Sequence, residues 1–286
     1  MVLGMLPTVA IAADTAPTEI DSADAFAAME AGGSYILTKD ITIDAPYSGN
    51  FSGEFDGDGH TVTLNITGTA NYVGMFKNLT GAAGKTVTVK NVIVAGEIKS
   101  EKGNVGGIAG FANPYAGPIT IKNCKNTATI SGKEKVGGIL GSCQSDSNVV
   151  EIKSCGNTGT VSANGYYAGG IVGNLPAGQT VDSCSNSGKI TAEAYAAGIV
   201  GYAKKNSSSS KTPTVQNCYN VGSIVGGEDA AQIAAGTAGS VINCYALKAD
   251  ETEEAVIASS GITVDSKSSG KTDTEMKSEA FAAQLG

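Results

Sequence analysis

The 286-residue sequence predicts an all-β chain: a right-handed parallel β-helix with three strands per coil and a short helix at each end. Three observations carry that prediction. A glycine-rich phrase recurs as VGGIAG at 105–110, VGGILG at 136–141, AGGIVG at 168–173 and AAGIVG at 196–201, with looser copies opening at Val73 and Ala230. A second phrase follows each time and, from the second copy on, closes on Cys124, Cys155, Cys184, Cys218 and Cys244. Six residues then separate the first four of these cysteines from Ile130, Val161, Ile190 and Ile224, and the same step runs from Val92 to Ile98. A period of 28 to 34 residues holding three short β-type phrases is one solenoid coil per repeat. The right hand follows from the general preference of parallel crossovers.

The elements follow in chain order. Residues 1–13 are an apolar run ending in Ala10-Ile11-Ala12, a small-x-small pattern that reads as the remnant of a signal peptide. A buried first strand is the alternative. Residues 14–72 hold an N-terminal capping helix and a first coil. The helix is expected over 21–31, with Asp21 or Ser22 as N-cap, Gly32-Gly33 as stop, and Phe26 and Met29 covering the open end of the solenoid. Segments 35–44 and 53–67 alternate in the manner of strands. The repeats proper occupy 73–250. Their phrases are short, β-branched and separated by Gly, Asn and Pro, with no helical period. Residues 251–286 read as a linker and a C-terminal helix, opened by the capping-box pattern Thr272-x-x-Glu275 and carrying Met276, Phe281 and Leu285.

Two columns are expected inside the coils. Five cysteines at one repeat position form a ladder, either of reduced thiols or with bridges between some coils, since stacked parallel strands give poor disulfide torsions. Cys143 falls outside it. Two residues beyond the cysteines stand Asn126, Asn157, Asn186 and Asn220, expected at a turn in the left-handed conformation and bonded from coil to coil.

Length variation gathers on one edge. The distance from the glycine phrase to the Val92 or Cys position is 19, 19, 19, 16, 22 and 14 residues across the six copies. The extra residues fall at 111–118, 142–148, 174–179, 202–213 and 236–239, with Pro114, Pro118, Pro176 and Pro213 among them. Variable loops on one solenoid face mark either a binding face or tolerated drift. The residues singled out for binding are Tyr202, Lys204, Lys205 and Lys211 on that edge, with Tyr166 and Tyr167 at bends; Tyr115 and Tyr195 belong to the same group of exposed aromatics. A lysine cluster on a chain of net charge −8 would favour an acidic partner such as a sialylated or sulfated glycan.

Composition narrows the chemistry. All 19 basic residues are Lys, which argues against nucleic-acid binding. One histidine, His60, cannot supply a zinc-peptidase pair, and nothing in the sequence sets a nucleophile beside it. Asp56 and Asp58 are the closest carboxylate pair, but their Gly-rich surroundings suggest a bend, not a glycosidase cleft, and EF-hand spacing is absent. Trp, the best sugar-stacking platform, is missing. No enzyme activity, metal or cofactor is expected. No other stretch reaches the ~18 apolar residues of a membrane span, so no transmembrane segment is expected either.

The VGGI(A/L/V)G and NC-x-N phrases, the leading GSYILTKDITID, the FDGDGH core of GEFDGDGHTVTLNI and the TDTEMKSEAFAAQL tail together resemble the GLUG-motif repeat of large bacterial surface proteins. Some streptococcal IgA-cleaving metallopeptidases carry such repeats. The resemblance covers most of the chain and implies a right-handed parallel β-helix with a surface or adhesive role. It supplies no catalytic residue. The last copy, AAQIAA, departs from it by losing Gly-Gly. Two functions stay open: a secreted or cell-surface adhesion module for host protein, glycan or neighbouring cells, and a structural stalk of a larger surface protein with further domains of the same polypeptide. A carbohydrate-active β-helix enzyme is a third.

Overall fold

The computed structural model describes residues 16–145, 147–206, 210–227, 229–248 and 255–278. They form a parallel β-helix in which every named strand pairs with its counterpart one coil away. The coil at 105–132 shows the plan. Val105–Gly106 and Ala109–Asn113 make the first face, Ile119–Lys122 the second, and Lys125–Asn126 with Thr129–Gly132 the third. The three expected strands are therefore three faces, two of them broken in the middle. On the first face the Ile139 carbonyl accepts both the Ile108 and Ala109 N–H groups (3.0 and 3.2 Å), and this doubled bond kinks the chain. On the third, the Asn126 side chain folds back onto Ala128 and interrupts the strand.

The second face is an unbroken ladder of ten strands from Thr18–Ile20 to Ile262–Val264. Alternation sends Ile119 and Ile121 inward, and the columns above and below repeat Val and Ile at the same places. Parallel sheets buried on one side and closed into a coil bury this apolar column continuously, which is the main stabilising term.

The cysteine and asparagine columns form as the spacing requires. Val92, Cys124, Cys155, Cys184, Cys218 and Cys244 stand one above another in the core. All six thiols, Cys143 included, are free. Each thiol from Cys184 to Cys244 accepts the backbone N–H of the cysteine one coil earlier at 3.3–3.4 Å, and Ser268 Oγ closes the column by accepting from Cys244 at 2.9 Å. Cys143 sits in the apolar column of Ala112 on the first face. The Asn126, Asn157, Asn186 and Asn220 amides donate to the next in line at 2.6–2.7 Å, all buried.

One expectation is corrected there. The asparagines are extended strand residues, and the left-handed positions lie one residue before the cysteine column, at Asn91, Asn123, Ser154, Ser183, Asn217 and Asn243. An extended Asn keeps its amide pointed into the coil, where it bonds both its neighbour and the carbonyl two residues on. The second glycine of each Gly-Gly phrase faces that amide: a Cβ on Gly138 or Gly170 would stand 2.6–2.7 Å from Asn157 or Asn186.

The ends differ from expectation too. Helix α1 is Ala23–Ala27, shorter than 21–31, with Ser22 Oγ accepting from Ala25 N–H at 3.2 Å and Phe26 buried over the first coils. It stops before Gly32-Gly33. Tyr47–Phe51 is a first-face strand that the alternation pattern did not announce. Residues 262–271 are no linker: Ile262–Val264 and Ser269–Lys271 pair with Gly239–Ile242 and Tyr245–Leu247 as a further coil. Helix α2, Asp273–Met276, has the full capping box of Thr272 and Glu275, and Met276 is only half-buried. Residues 1–13, expected as a signal-peptide remnant, and Phe281 and Leu285 lie outside the described residues.

Candidate functional site

The insertion edge exists as a place. It is the corner where first-face strands cross to the second face, and the described loop residues 114–118, 144–145, 147–149, 176–179, 204–206 and 210–213 lie along it. These loops are tied to one another. Asn148 donates to the Pro114 carbonyl at 3.0 Å, Ser145 to the Ala177 carbonyl at 3.1 Å, and the Gly178 N–H to the Thr212 carbonyl at 3.3 Å. Lys205 and Lys211 are exposed and Lys204 half-buried; Lys211 Nζ donates to the Ser147 carbonyl at 3.5 Å. Residues 207–209 of the serine run lie outside the described residues. Tyr115 stands alone on its loop, 74% exposed.

Tyr202 does not join these lysines. Its ring turns back along the outer side of the first face and stacks on Tyr167, centroids 4.3 Å apart. Tyr195 meets Tyr202 edge-on at 5.0 Å and Tyr167 at 5.4 Å, while Tyr166, 51% exposed, lies 5.9 Å from Tyr167. The structure thus gathers Tyr166, Tyr167, Tyr195 and Tyr202 into one patch and leaves Lys204, Lys205 and Lys211 on the neighbouring corner.

The patch arises from the coil plan. The residue ahead of each of the first five glycine phrases is left-handed: Tyr72, Asn104, Lys135, Tyr167 and Tyr195 at φ 63, 62, 56, 70 and 35. From there the side chain lies over the first face and meets the outward residue of the next coil. Tyr72 meets Phe111 at 5.0 Å, Asn104 accepts from Ser142, and Tyr167 meets Tyr202. Glycines at 110, 141, 173 and 201 keep the sheet thin enough, since a Cβ there would stand 2.4–2.6 Å from the backbone of the previous coil. The Tyr72–Phe111 pair was not foreseen; the shared spacing ahead of Val73 and Val105 was its signal. Burial, then Tyr202, Tyr195 and Glu134 push the Tyr167 hydroxyl up, so this phenol stays neutral.

The remaining polar groups read as structural. Burial pushes Asp56 up, but the Asp58 N–H, the Asn91 amide and Lys90 outweigh it and hold the carboxyl below its ordinary range. Such a carboxylate caps a turn and is a poor proton donor. His60 Nδ1 lies 3.3 Å from Asp40 Oδ1 at the surface. Among the described residues no three or more His, Cys, Asp or Glu side chains are grouped to hold a metal, and no helix is long and apolar enough to cross a membrane.

No family model matches the chain, and the curated proteins give no match. The chain is similar to a solved structure described as a "putative immunoglobulin A1 protease" from Bacteroides ovatus. The TM-score is 0.70 at 23% sequence identity, over 92% of this chain and 86% of that one. At that identity the likeness shows the fold alone, a β-helix.

Proposed function

We propose that this chain is a non-catalytic recognition module of an exported bacterial surface protein of the GLUG-repeat kind, docking a partner on its tyrosine patch. One observation carries the reading. The fold asks only for a residue that tolerates the left-handed region ahead of each glycine phrase, and Asn104 shows the cheap solution. Tyr167 and Tyr195 adopt that conformation instead, and their rings converge with Tyr202 on the surface. Backbone strain kept where no packing demands it is a mark of a functional position. Tyrosines of this sort supply large, rigid contact area with a polar tip, suited to a host protein or a glycan.

The word protease belongs to the similar structure and not to this chain, whose single His60 pairs with an exposed carboxylate. The experiment compares wild type with Tyr167→Asn and Tyr202→Ser for adhesion to extracellular-matrix proteins and a glycan array. Lost adhesion with unchanged folding supports the patch. A second reading, the rigid stalk, is favoured by the uninterrupted ten-strand second face. Equal adhesion by all three proteins would select it.

A further inference from the structure

A separate concavity of about 640 Å³ opens where the second face turns into the third. Its shape comes from one outward column, Lys125, Gly156, Ser185 and Tyr219, which are register partners in four successive coils. Large side chains close the two ends, and the two middle coils have almost none. The left-handed position beside this column shrinks in the same coils, from Asn123 to Ser154 and Ser183 and back to Asn217.

Gly156 is the informative residue. Other glycines of these coils are required: a Cβ on Gly138, Gly159, Gly170 or Gly188 would stand 1.9–2.1 Å from a backbone carbonyl oxygen. A Cβ on Gly156 would meet nothing nearer than Ser185 Oγ at 3.5 Å, an ordinary contact, and its φ is not in the left-handed region. The register on either side is unbroken, so no bulge explains it. A strand glycine weakens its strand, and where neither a bulge nor a neighbouring backbone calls for it, close approach of a ligand is the remaining reason.

The walls indicate the ligand. Strands here have partners on both sides, leaving no edge for a peptide to extend. Hydroxyl and amide side chains line it together with Lys125, the exposed Val221 and one phenol ring at Tyr219. Lys90, Lys99, Lys135 and Lys153 each have a carboxylate within reach, whereas Lys125 has none among the described residues. Three coil spacings of ~4.8 Å separate the two ends, the length of a short oligosaccharide. We propose that the trough is a subsite for an acidic glycan segment, a di- or trisaccharide lying along the solenoid axis. A uronic or sialic acid carboxylate pairs with Lys125, and a sugar face rests on Tyr219. The site stands apart from the tyrosine patch and does not depend on it.

The test uses the full chain and titration calorimetry with trigalacturonate, maltotriose and an Asp/Glu hexapeptide. Trigalacturonate is expected to bind most tightly. Gly156→Tyr should weaken it by about tenfold or more, roughly 1.4 kcal/mol, while the Tm stays level or rises; Gly156→Thr serves if Tyr impairs folding. Lys125→Gln should weaken trigalacturonate and leave maltotriose unchanged. No saccharide binding at millimolar concentration, equal binding by both Gly156 variants, or tighter binding of the hexapeptide would each overturn the proposal.

Discussion

The first coils and the central coils of the same stack are filled by different rules. In the first coils Phe26, Tyr47, Phe51, Phe55 and Phe76 pack ring against ring at 4.8–6.2 Å, and size and shape decide the fit. In the central coils the core is narrow, and Cys, Asn and Gly meet in columns whose hydrogen bonds admit one register. An apolar core tolerates other shapes of similar volume. A buried polar ladder tolerates little, because each member removed leaves its neighbours unpaired.

The sharpest separation of the two regions should come from alkaline pH. Burial pushes the thiols of Cys124, Cys143, Cys155, Cys184 and Cys218 above their ordinary value. A raised folded pKa adds stability that is complete below the unfolded pKa near ~8.5 and is lost as pH climbs above it. The unfolded chain then sheds protons that the native chain keeps, costing about 1.4 kcal/mol per thiol per pH unit. Hydrogen exchange followed from pH 8 to 10 should show the central coils opening while the aromatic end stays protected. Uniform loss of protection would mean that the two regions are one cooperative unit.

Next in size is Cys184→Asp. It places a carboxylate in the middle of the column, where an unpaired buried charge costs several kcal/mol, about 3–5 by analogy with broken buried pairs. Urea unfolding measures it, and the loss should shrink at low pH as the new carboxyl takes up a proton. A destabilisation under about 1 kcal/mol would show that the column is open to water.

A smaller pair of effects contrasts the filling rules directly. Asn157→Ala removes one amide but strands an Asn126 side-chain N–H and the Gly159 carbonyl, and leaves Asn186 Oδ1 with the Gly188 N–H alone, for a cost of about 2–4 kcal/mol. Phe76→Leu, at the centre of the ring cluster, should cost less, about 1–2 kcal/mol, because neighbouring rings can shift. Equal losses would erase the distinction.

Much of this contrast was legible in the repeats. Where the second glycine is absent the asparagine is absent too: Met75 goes with Val94, and Gln232 goes with Ala246. Gln232 Oε1 takes the donated N–H of Asn220 at 2.7 Å, so the departure in AAQIAA is the ladder's terminus and not decay. The last coil was missed because Ser268 does the work of a cysteine there, and no phrase announced it. The tyrosine patch was half legible. Tyr166, Tyr167, Tyr195 and Tyr202 are all visible as aromatics at bends, but the sequence assigns Tyr202 to the loop it precedes, because direction out of a face depends on strand register and not on neighbours in sequence. The trough was hidden for a related reason: its walls lie 29 to 34 residues apart in sequence steps that only stacking brings together.

The smallest effect belongs to the insertion edge. Removing 203–212 outright would damage the coil, since Ala203 is buried and the Thr212 carbonyl accepts from Gly178. Removing 205–210 leaves both in place. Closing a shorter loop changes chain entropy only slightly, so the expected shift is under about 1 kcal/mol. It is read as a Tm change of a few degrees at most, with the central hydrogen-exchange pattern retained. The same variant separates the lysine corner from the tyrosine patch. Adhesion that survives the deletion but not Tyr202→Ser assigns recognition to the patch. Adhesion lost with the loop, and restored to neither protein by lowering the salt, places it on the edge that the repeat lengths first marked.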